Sequence, residues 1–494
     1  MDELTAPLAL SDATLGALPD GVTGPLYDRA ALRPGIVHIG VGNFHRAHMA
    51  WHLHRLMQQS EALDWAILGA GVRPADADMR ARLLAQDGLT TLIELSPDRA
   101  AAEIIGPMVD FLPVQPDNAA LIGAMADPAI RIVSLTVTEG GYYLDPLSGG
   151  LDLAHPDIRA DAAAPQAPRT AFGALVAALA RRRDAGLAPF AALSCDNLQG
   201  NGDILRAAVV SLARLSDPAL ADWIAARGAF PNSMVDCIVP ATGPAERALA
   251  RALGLADAAP VTHEPFRQWV IEDRFPAGRP AWEKVGAVFT DDVHAYETMK
   301  LRLLNAGHQL LANAGEILGV ETIAECMAHP RIGAFFDRAL RTEVAPFVPA
   351  VPGMTPQAYV DLISGRFANA AVRDTARRVA FDGSARHTGF VHPSLRDALA
   401  AGAPLDGLAL AEALWARMCA GHRQDGSAIA PNDPAWPALT AAAQAARADP
   451  AAWLAQADLY GDLARARPFA QAFDRWLRLI WSDGAEAALA AYAD

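Results

Sequence analysis

The chain has 494 residues, more than one hydrophobic core usually supports, because single cores stop growing at roughly 250 to 300 residues, so two domains are expected. Hydrophobic residues make up 52% and charged residues 20%, a balance that excludes a disordered chain. The formal charge is -15 and the most basic patch is only Arg181-Arg182-Arg183, which argues against nucleic acid and anionic membrane as partners.

The opening MDELTAPLALSDATLG is acidic where a secretory leader would be basic. No apolar stretch approaches the roughly 20 residues needed to cross a bilayer, so a cytoplasmic protein is expected. Cys195, Cys237, Cys326 and Cys419 form no C-x-x-C pair, so neither a disulfide scaffold nor a zinc cluster is indicated.

From Gly35 to about residue 290, short β-rich runs alternate with amphipathic helical stretches. IVHIG (36–40), WAILG (65–69), RIVSLTVTE (131–139) and FAALSCDN (190–197) read as strands, and 47–57, 171–184 and 203–215 as helices. Near-continuous apolar strands alternating with helices predict an α/β, Rossmann-like doubly wound domain over residues 1–290. From Asp291 onward Ala, Leu and Arg recur at helical spacing, which predicts a mostly α-helical domain over 291–494, with FVPAVPGMTP (347–356) as a loop.

The first strand runs into G-V-G-N-F-H-R-A-H (40–48). In an open α/β sheet a phosphate sits where the first strand gives way to a helix, because backbone N–H groups point there. Gly40 would permit the tight turn and Gly42 a close approach of backbone to a pyrophosphate. His45 occupies the place of the third glycine of G-x-G-x-x-G, so the same residues also suit an ordinary turn. His48 and His52 have metal-ligand spacing, but no carboxylate or further ligand follows, which favours packing over a metal site. Asp76, after the second strand, suits an adenosine ribose and NAD; its distance from the glycines exceeds the usual interval of about 20 residues, and Arg73 suits a 2′-phosphate instead.

In YETMKLRLLNAGHQLLANAG (296–315), Lys300, Asn305 and His308 fall within an arc of about 140° of an ideal helix, among apolar neighbours. Such a polar face costs energy unless its groups bond each other or a ligand. A desolvated Lys loses affinity for its proton and can take one from a hydroxyl while amides hold the developing alkoxide. A solvated Lys beside a capping Asn and a core His fits the same pattern. Tyr296 and Lys300 form Y-x-x-x-K, the short-chain dehydrogenase pair, but that family is about half this length and places the pair inside its nucleotide domain.

Taken with S-L-T-V-T-E-G-G-Y (134–142), S-C-D-N-L (194–198), M-V-D (234–236), E-P-F-R-Q-W-V-I-E-D (264–273) and G-R-P-A-W-E-K-V-G (278–286), these motifs resemble the polyol-specific long-chain dehydrogenases over about residues 35–400. That group includes mannitol and arabinitol dehydrogenases and fructuronate reductases. The resemblance implies a metal-free NAD enzyme, with NAD preferred to NADP, that interconverts a polyol and its ketose in a cleft between the two domains. Lys300 matches the general base, Asn197 and Asn305 the amides that polarise the reacting oxygen, His308 a substrate-binding histidine, and Glu139 a carboxylate that relays the proton to water. Arg378, Arg386 and Asp236 match substrate-side residues, and Gly40, Gly42, Asn43, Phe44 and Asp76 the cofactor side. A monomer or small homo-oligomer is expected.

There are departures from the family pattern. Cys237 stands where the signature M-V-D-R has Arg, His387 and Thr388 replace an apolar-Pro pair, and the last ~90 residues match poorly. Gly140 and the G-V-R of 71–73 look like the mannitol branch, whereas Arg267 looks like the sugar-acid branch, where a cation meets a carboxylate. A neutral polyol is favoured and a sugar-acid reductase is the alternative. A non-catalytic NAD sensor would be expected to have lost part of the catalytic set.

Overall fold

The computed structural model describes residues 6–493 except 98, 146 and 147. The chain divides into two units, Met1–His294 and Ala295–Asp494.

The first unit is organised around a five-stranded parallel sheet: β1 (Pro34–Ile39), β2 (Ala66–Ala70), β3 (Met108–Phe111), β4 (Ile132–Leu135) and β5 (Ala191–Ser194). Their spatial order is 3-2-1-4-5, that of a dinucleotide-binding sheet. Alternation along β1 sends Val37 and Ile39 into one core and Ile36 into the other. The first core also takes Phe172, Leu175 and Leu179 from helix Ala171–Asp184, and Leu205, Val209 and Leu212 from helix Asn201–Ser216. The second takes Leu53, Leu56 and Met57 from helix Met49–Met57. Each such side chain contributes roughly 1.5–3 kcal/mol when fully buried. Both faces of the sheet are therefore covered, as the strand composition requires.

Two expectations change locally, and one strand forms against the helix propensity of its residues. The helix expected over 47–57 breaks at His48 (φ -118°, ψ -84°) into Asn43–Ala47 and Met49–Met57. His48 Nε2 there donates to the Gln268 carbonyl at 2.9 Å, a tertiary bond that outweighs helix continuity. The strand expected over 131–139 stops at Leu135, because Val137 and Thr138 turn away to bond Asp196. Arg99–Ile105, rich in alanine, forms a strand paired antiparallel with Thr90–Ser96; cross-strand pairing overrides its helix propensity.

A further antiparallel pair, β6 (Ser233–Asp236) and β7 (Gln268–Ile271), sets Asp236 opposite Gln268. Cys237 therefore follows β6 directly across from Arg267.

In the second unit, helix Asp406–Met418 is buried all round from Gly407 to Met418, as befits the central rod of a helical bundle. Helices Ala306–Leu318 and Arg467–Asp483 flank it. Glu412 on this rod is fully buried. Its carboxylate accepts from His387 Nδ1 (2.7 Å) and Tyr460 OH (2.6 Å), and His392 Nε2 lies 3.3 Å away. The two imidazoles hold the Glu412 carboxyl well below the usual carboxylate range, against the opposing effect of its burial. His387, a departure from the family pattern, thus anchors the segment that begins just after Arg386.

Candidate functional site

All five strands of the central sheet are parallel, so their C-terminal ends share one edge, and the sequence motifs lie along it. Gly40 follows β1 with φ +95°, and a Cβ there would sit 2.2 Å from the Thr136 carbonyl oxygen. Only glycine fits this turn. Gly42 is different: a Cβ on it would meet nothing closer than the Gly40 carbonyl oxygen at 3.9 Å, so the space above its backbone is open. Gly40→Ala should therefore lower the melting temperature as well as cofactor affinity, the backbone strain alone costing about 1–3 kcal/mol. Gly42→Ala should keep the fold and lose cofactor affinity only. Thermal melts with titration of NADH by fluorescence separate the two.

The helix after this turn is only five residues long, so a phosphate would be met by N–H groups of the turn and not by a sizeable helix dipole. The Asn43 side chain is committed elsewhere. Its Nδ2 donates to the Pro240 carbonyl and to Thr242 Oγ1, both at 2.9 Å, and its Oδ1 accepts from Arg46 at 2.8 Å. The Asn43 side chain is therefore satisfied within the protein, and its backbone is what remains for a cofactor. Phe44 is half-buried and stacks on His48 at 4.9 Å.

Asp76 returns to the end of β2 despite its long spacing from the glycines. Its carboxylate accepts from the Arg73 N–H at 2.9 Å, and a Cβ on Gly71, the first residue past β2, would lie 2.3 Å from the Asp76 Cβ. The missing side chain at 71 is what lets the carboxylate lie across the strand end.

Glu139 and Asn197 are exposed on the loops after β4 and β5. Asp236 is 5% exposed at the end of β6. Between them lies a residue that sequence reasoning missed, Asp196, 7% exposed and pushed up to about 6, chiefly by burial. S-C-D-N-L contains it, but nothing in a sequence distinguishes a buried aspartate from an exposed one beside Asn197.

The histidines of the opening turn are packed. His38 and His45 stack at 3.4 Å, and His52 Nδ1 bonds the His48 carbonyl at 2.9 Å. Among the described residues no group of three His, Cys, Asp or Glu could hold a metal ion. Arg267 is also committed: its Nε donates to the Ala47 carbonyl (2.7 Å), its Nη2 lies 2.9 Å from His263 Nε2, and its guanidinium covers Trp51 at 4.1 Å. Across from Cys237, Arg267 is thus held by contacts within the protein.

In the second unit the polar face differs from the ideal α-helix of the sequence reading. Val293–Met299 is α-helical, Lys300–Asn305 forms a π-type turn, and Ala306–Leu318 is α-helical again. In a π turn residue i bonds residue i+5, so Lys300 and Asn305 stand one turn apart on one side instead of about 140° apart. Lys300 is 8% exposed. Arg302 leaves this face and pairs with Asp397 at 2.7 Å.

His308 stacks on Phe367 at 4.1 Å, and its buried Nε2 has no hydrogen-bond partner. Burial lowers its pKa to about 3, Asp374 opposes this, and Arg378, Arg366 and Arg386 add to it. The ring is therefore neutral, amid a basic cluster that includes Arg366, which the sequence reading did not single out. Arg378 is paired bidentately with Asp374, both bonds 2.6 Å, and Arg386 Nη1 donates to the Val379 carbonyl at 2.7 Å.

Comparison with known proteins agrees with this architecture. Residues 34–284 match the family model described as the mannitol dehydrogenase Rossmann domain, and residues 292–481 the mannitol dehydrogenase C-terminal domain. The likeness thus extends to residue 481, well past residue 400, where the motif resemblance ended. A mannitol 2-dehydrogenase of Cereibacter sphaeroides is 58% identical over 468 residues, 95% of this chain and 98% of that protein. Among solved structures, a ternary complex of Pseudomonas fluorescens mannitol 2-dehydrogenase with NAD and D-mannitol superposes with a TM-score of 0.88 at 39% identity, covering 98% of this chain and 99% of the other. A substrate-free D-sorbitol dehydrogenase superposes with a TM-score of 0.90 at 34% identity, covering 98% and 100%. The chain belongs to the mannitol dehydrogenase family and is an oxidoreductase acting on CH–OH donors.

Proposed function

We propose that this protein is an NAD-dependent dehydrogenase that interconverts a neutral polyol of the mannitol type with its ketose, using Lys300 as general base and no metal. The observation that carries this reading is the π-type turn, which begins at the buried Lys300 and ends at Asn305, a few residues before the neutral His308.

The first unit has the features that a dinucleotide needs. The turn at Gly40 and the open backbone at Gly42 suit the pyrophosphate, and Asp76 suits the adenosine ribose, which favours NAD over NADP. NAD, when bound, takes up or returns the hydride of the reacting carbon. The chain's own residues do the rest. Lys300 removes the hydroxyl proton in oxidation and returns it in reduction. Asn197 and Asn305 donate hydrogen bonds to the developing alkoxide. His308, neutral and with an unpaired ring nitrogen, bonds a neighbouring substrate hydroxyl. Glu139, exposed to water, accepts the proton that Lys300 releases. Asp236, Arg378 and Arg386 border the substrate.

A sugar acid is the second reading, favoured by the three arginines near His308. The neutral polyol is preferred because Arg378 is already neutralised by Asp374 and Arg267 by interior contacts. NADH absorbance with mannitol, arabinitol, sorbitol, fructose and fructuronate, each with either coenzyme, tests the proposal. Fastest turnover on mannitol and fructose with NAD(H) is expected. Preference for fructuronate would establish the second reading, and no turnover on any of them would overturn the mannitol-type assignment and revive a non-catalytic NAD-binding role.

A further inference from the structure

We propose that Asp196 is a positioning residue for catalysis: its buried carboxylate ties the loop that carries Glu139 to the loop that carries Asn197, fixing both groups where the reaction needs them. The inference rests on the proposed roles of Glu139 and Asn197.

The carboxylate is used on both oxygens. Oδ1 accepts from the Thr138 N–H at 2.7 Å, and Oδ2 accepts from the Val137 N–H at 3.1 Å and the Tyr142 hydroxyl at 3.0 Å. All three donors flank Glu139 in sequence. On its own loop, the Asp196 carbonyl accepts from the Leu198 N–H at 2.9 Å and from Asn201 Nδ2 at 3.0 Å, closing a tight turn with Asn197 at its apex. Asn201 is fully buried and is itself held by the Ser233 N–H at 2.9 Å and the Ser233 carbonyl at 2.8 Å. One residue therefore connects the apex that bears the amide with the loop that bears the carboxylate.

A second observation points the same way. Thr138, the residue before Glu139, has φ +64° and ψ 165°, a region that side-chain-bearing residues rarely enter. Such a conformation persists only when its surroundings impose it, and strained positions cluster at functional sites. The bonds from Asp196 to the N–H groups of 137 and 138 are the imposing contacts. The Gly141 N–H completes the loop by donating to the Thr138 carbonyl at 2.9 Å.

Asparagine cannot reproduce the clamp. Its amide offers one oxygen, so its NH2 must face either the Thr138 or the Val137 N–H, leaving that donor without an acceptor. The loop is then released while the bulk of the side chain is kept.

The test compares wild type, Asp196→Asn, Tyr142→Phe and Asn197→Ala with the best substrate found above. Asp196→Asn is expected to lower kcat by roughly 10- to 100-fold with little change in KM or in NADH affinity. Adding Thr138→Gly should restore several-fold of the lost kcat, because glycine adopts the positive φ without the clamp. Should Asp196→Asn fail to fold, Tyr142→Phe removes a single clamp donor and is expected to lower kcat several-fold. Wild-type kcat in Asp196→Asn, or in Tyr142→Phe where the former does not fold, together with a disabled Asn197→Ala, would overturn the positioning role while leaving the catalytic assignment intact. So would failure of Thr138→Gly to recover any activity. Normal turnover in Asn197→Ala would instead overturn the assignment on which the inference rests.

Discussion

Replacing Lys300 with alanine is expected to lower kcat by roughly 10²- to 10⁴-fold, the usual contribution of a positioned general base. Lys300 is 8% exposed and opens the π-type turn. The residues suited to the dinucleotide all lie in the other unit, so NADH affinity, measured by fluorescence titration, should be unchanged. The loss should appear in both directions of the reaction, because in the proposed mechanism the same amine takes the proton in oxidation and returns it in reduction. Tyr296, 5% exposed in the preceding helix, provides the contrast. Tyr296→Phe should retain most activity. Near-normal turnover in Lys300→Ala combined with loss in Tyr296→Phe would mean that the short-chain Y-x-x-x-K chemistry operates here and that the general-base assignment is wrong.

The first unit is expected to unfold readily in mild acid. Burial lowers His38 to about 3, His52 to about 4 and His263 to about 3, and places His45 well below the ordinary imidazole value. Each stays neutral in the folded state, whereas in the unfolded chain it takes up a proton below about 6.5. The unfolded state then binds more protons, so stability falls as pH drops through that value. At pH 5 the loss is roughly 2 kcal/mol for each of His38, His52 and His263. These three forfeit about 6 kcal/mol and His45 acts in the same sense, a sum comparable with the 5–15 kcal/mol stability of a typical protein. Asp196, raised to about 6, works in the opposite sense: its buried charge destabilises the fold above that pH, by at most about 3 kcal/mol, and this is regained as pH falls toward 4. The histidines outweigh it.

Urea midpoints followed by tryptophan fluorescence should therefore drop steeply between pH 7 and pH 5. His45 is the informative position, because neither ring nitrogen has a hydrogen-bond partner. His45→Leu removes an imidazole that bonds nothing and should make the acid dependence measurably shallower. A midpoint that does not move between pH 7 and pH 5 would mean that these rings accept protons in the folded state.

The alternation of apolar strands and helices was enough to read a doubly wound domain followed by a helical one, because burial on both faces of a parallel sheet leaves an unbroken apolar signature in each strand. The turn at Gly40 was legible for a similar reason: a position that tolerates no Cβ leaves a glycine. Lys300, Asn305 and His308 were visible because charged and amide groups among leucines demand an explanation. Their angular relation was not, since the i+5 pattern of the turn at 300–305 has no marker in residue type and an ideal α-helix misplaces Asn305 by most of a right angle or more.

Other features depend on partners remote in sequence. The break at His48 follows from the Gln268 carbonyl, and the committed side chain of Asn43 from the 240–242 loop. Arg267 reads as a ligand for a carboxylate until Ala47, Trp51 and His263 are found around it. Asp196 carries no signal of its own, because a carboxylate acquires its role from the three donors that converge on it. By itself the sequence determined the fold class and the polar groups that need a partner, since hydrophobic period and residue chemistry are local. Only the tertiary structure decided which of those groups are already satisfied, because a hydrogen bond between residues a hundred or two hundred positions apart exists only once the chain has folded.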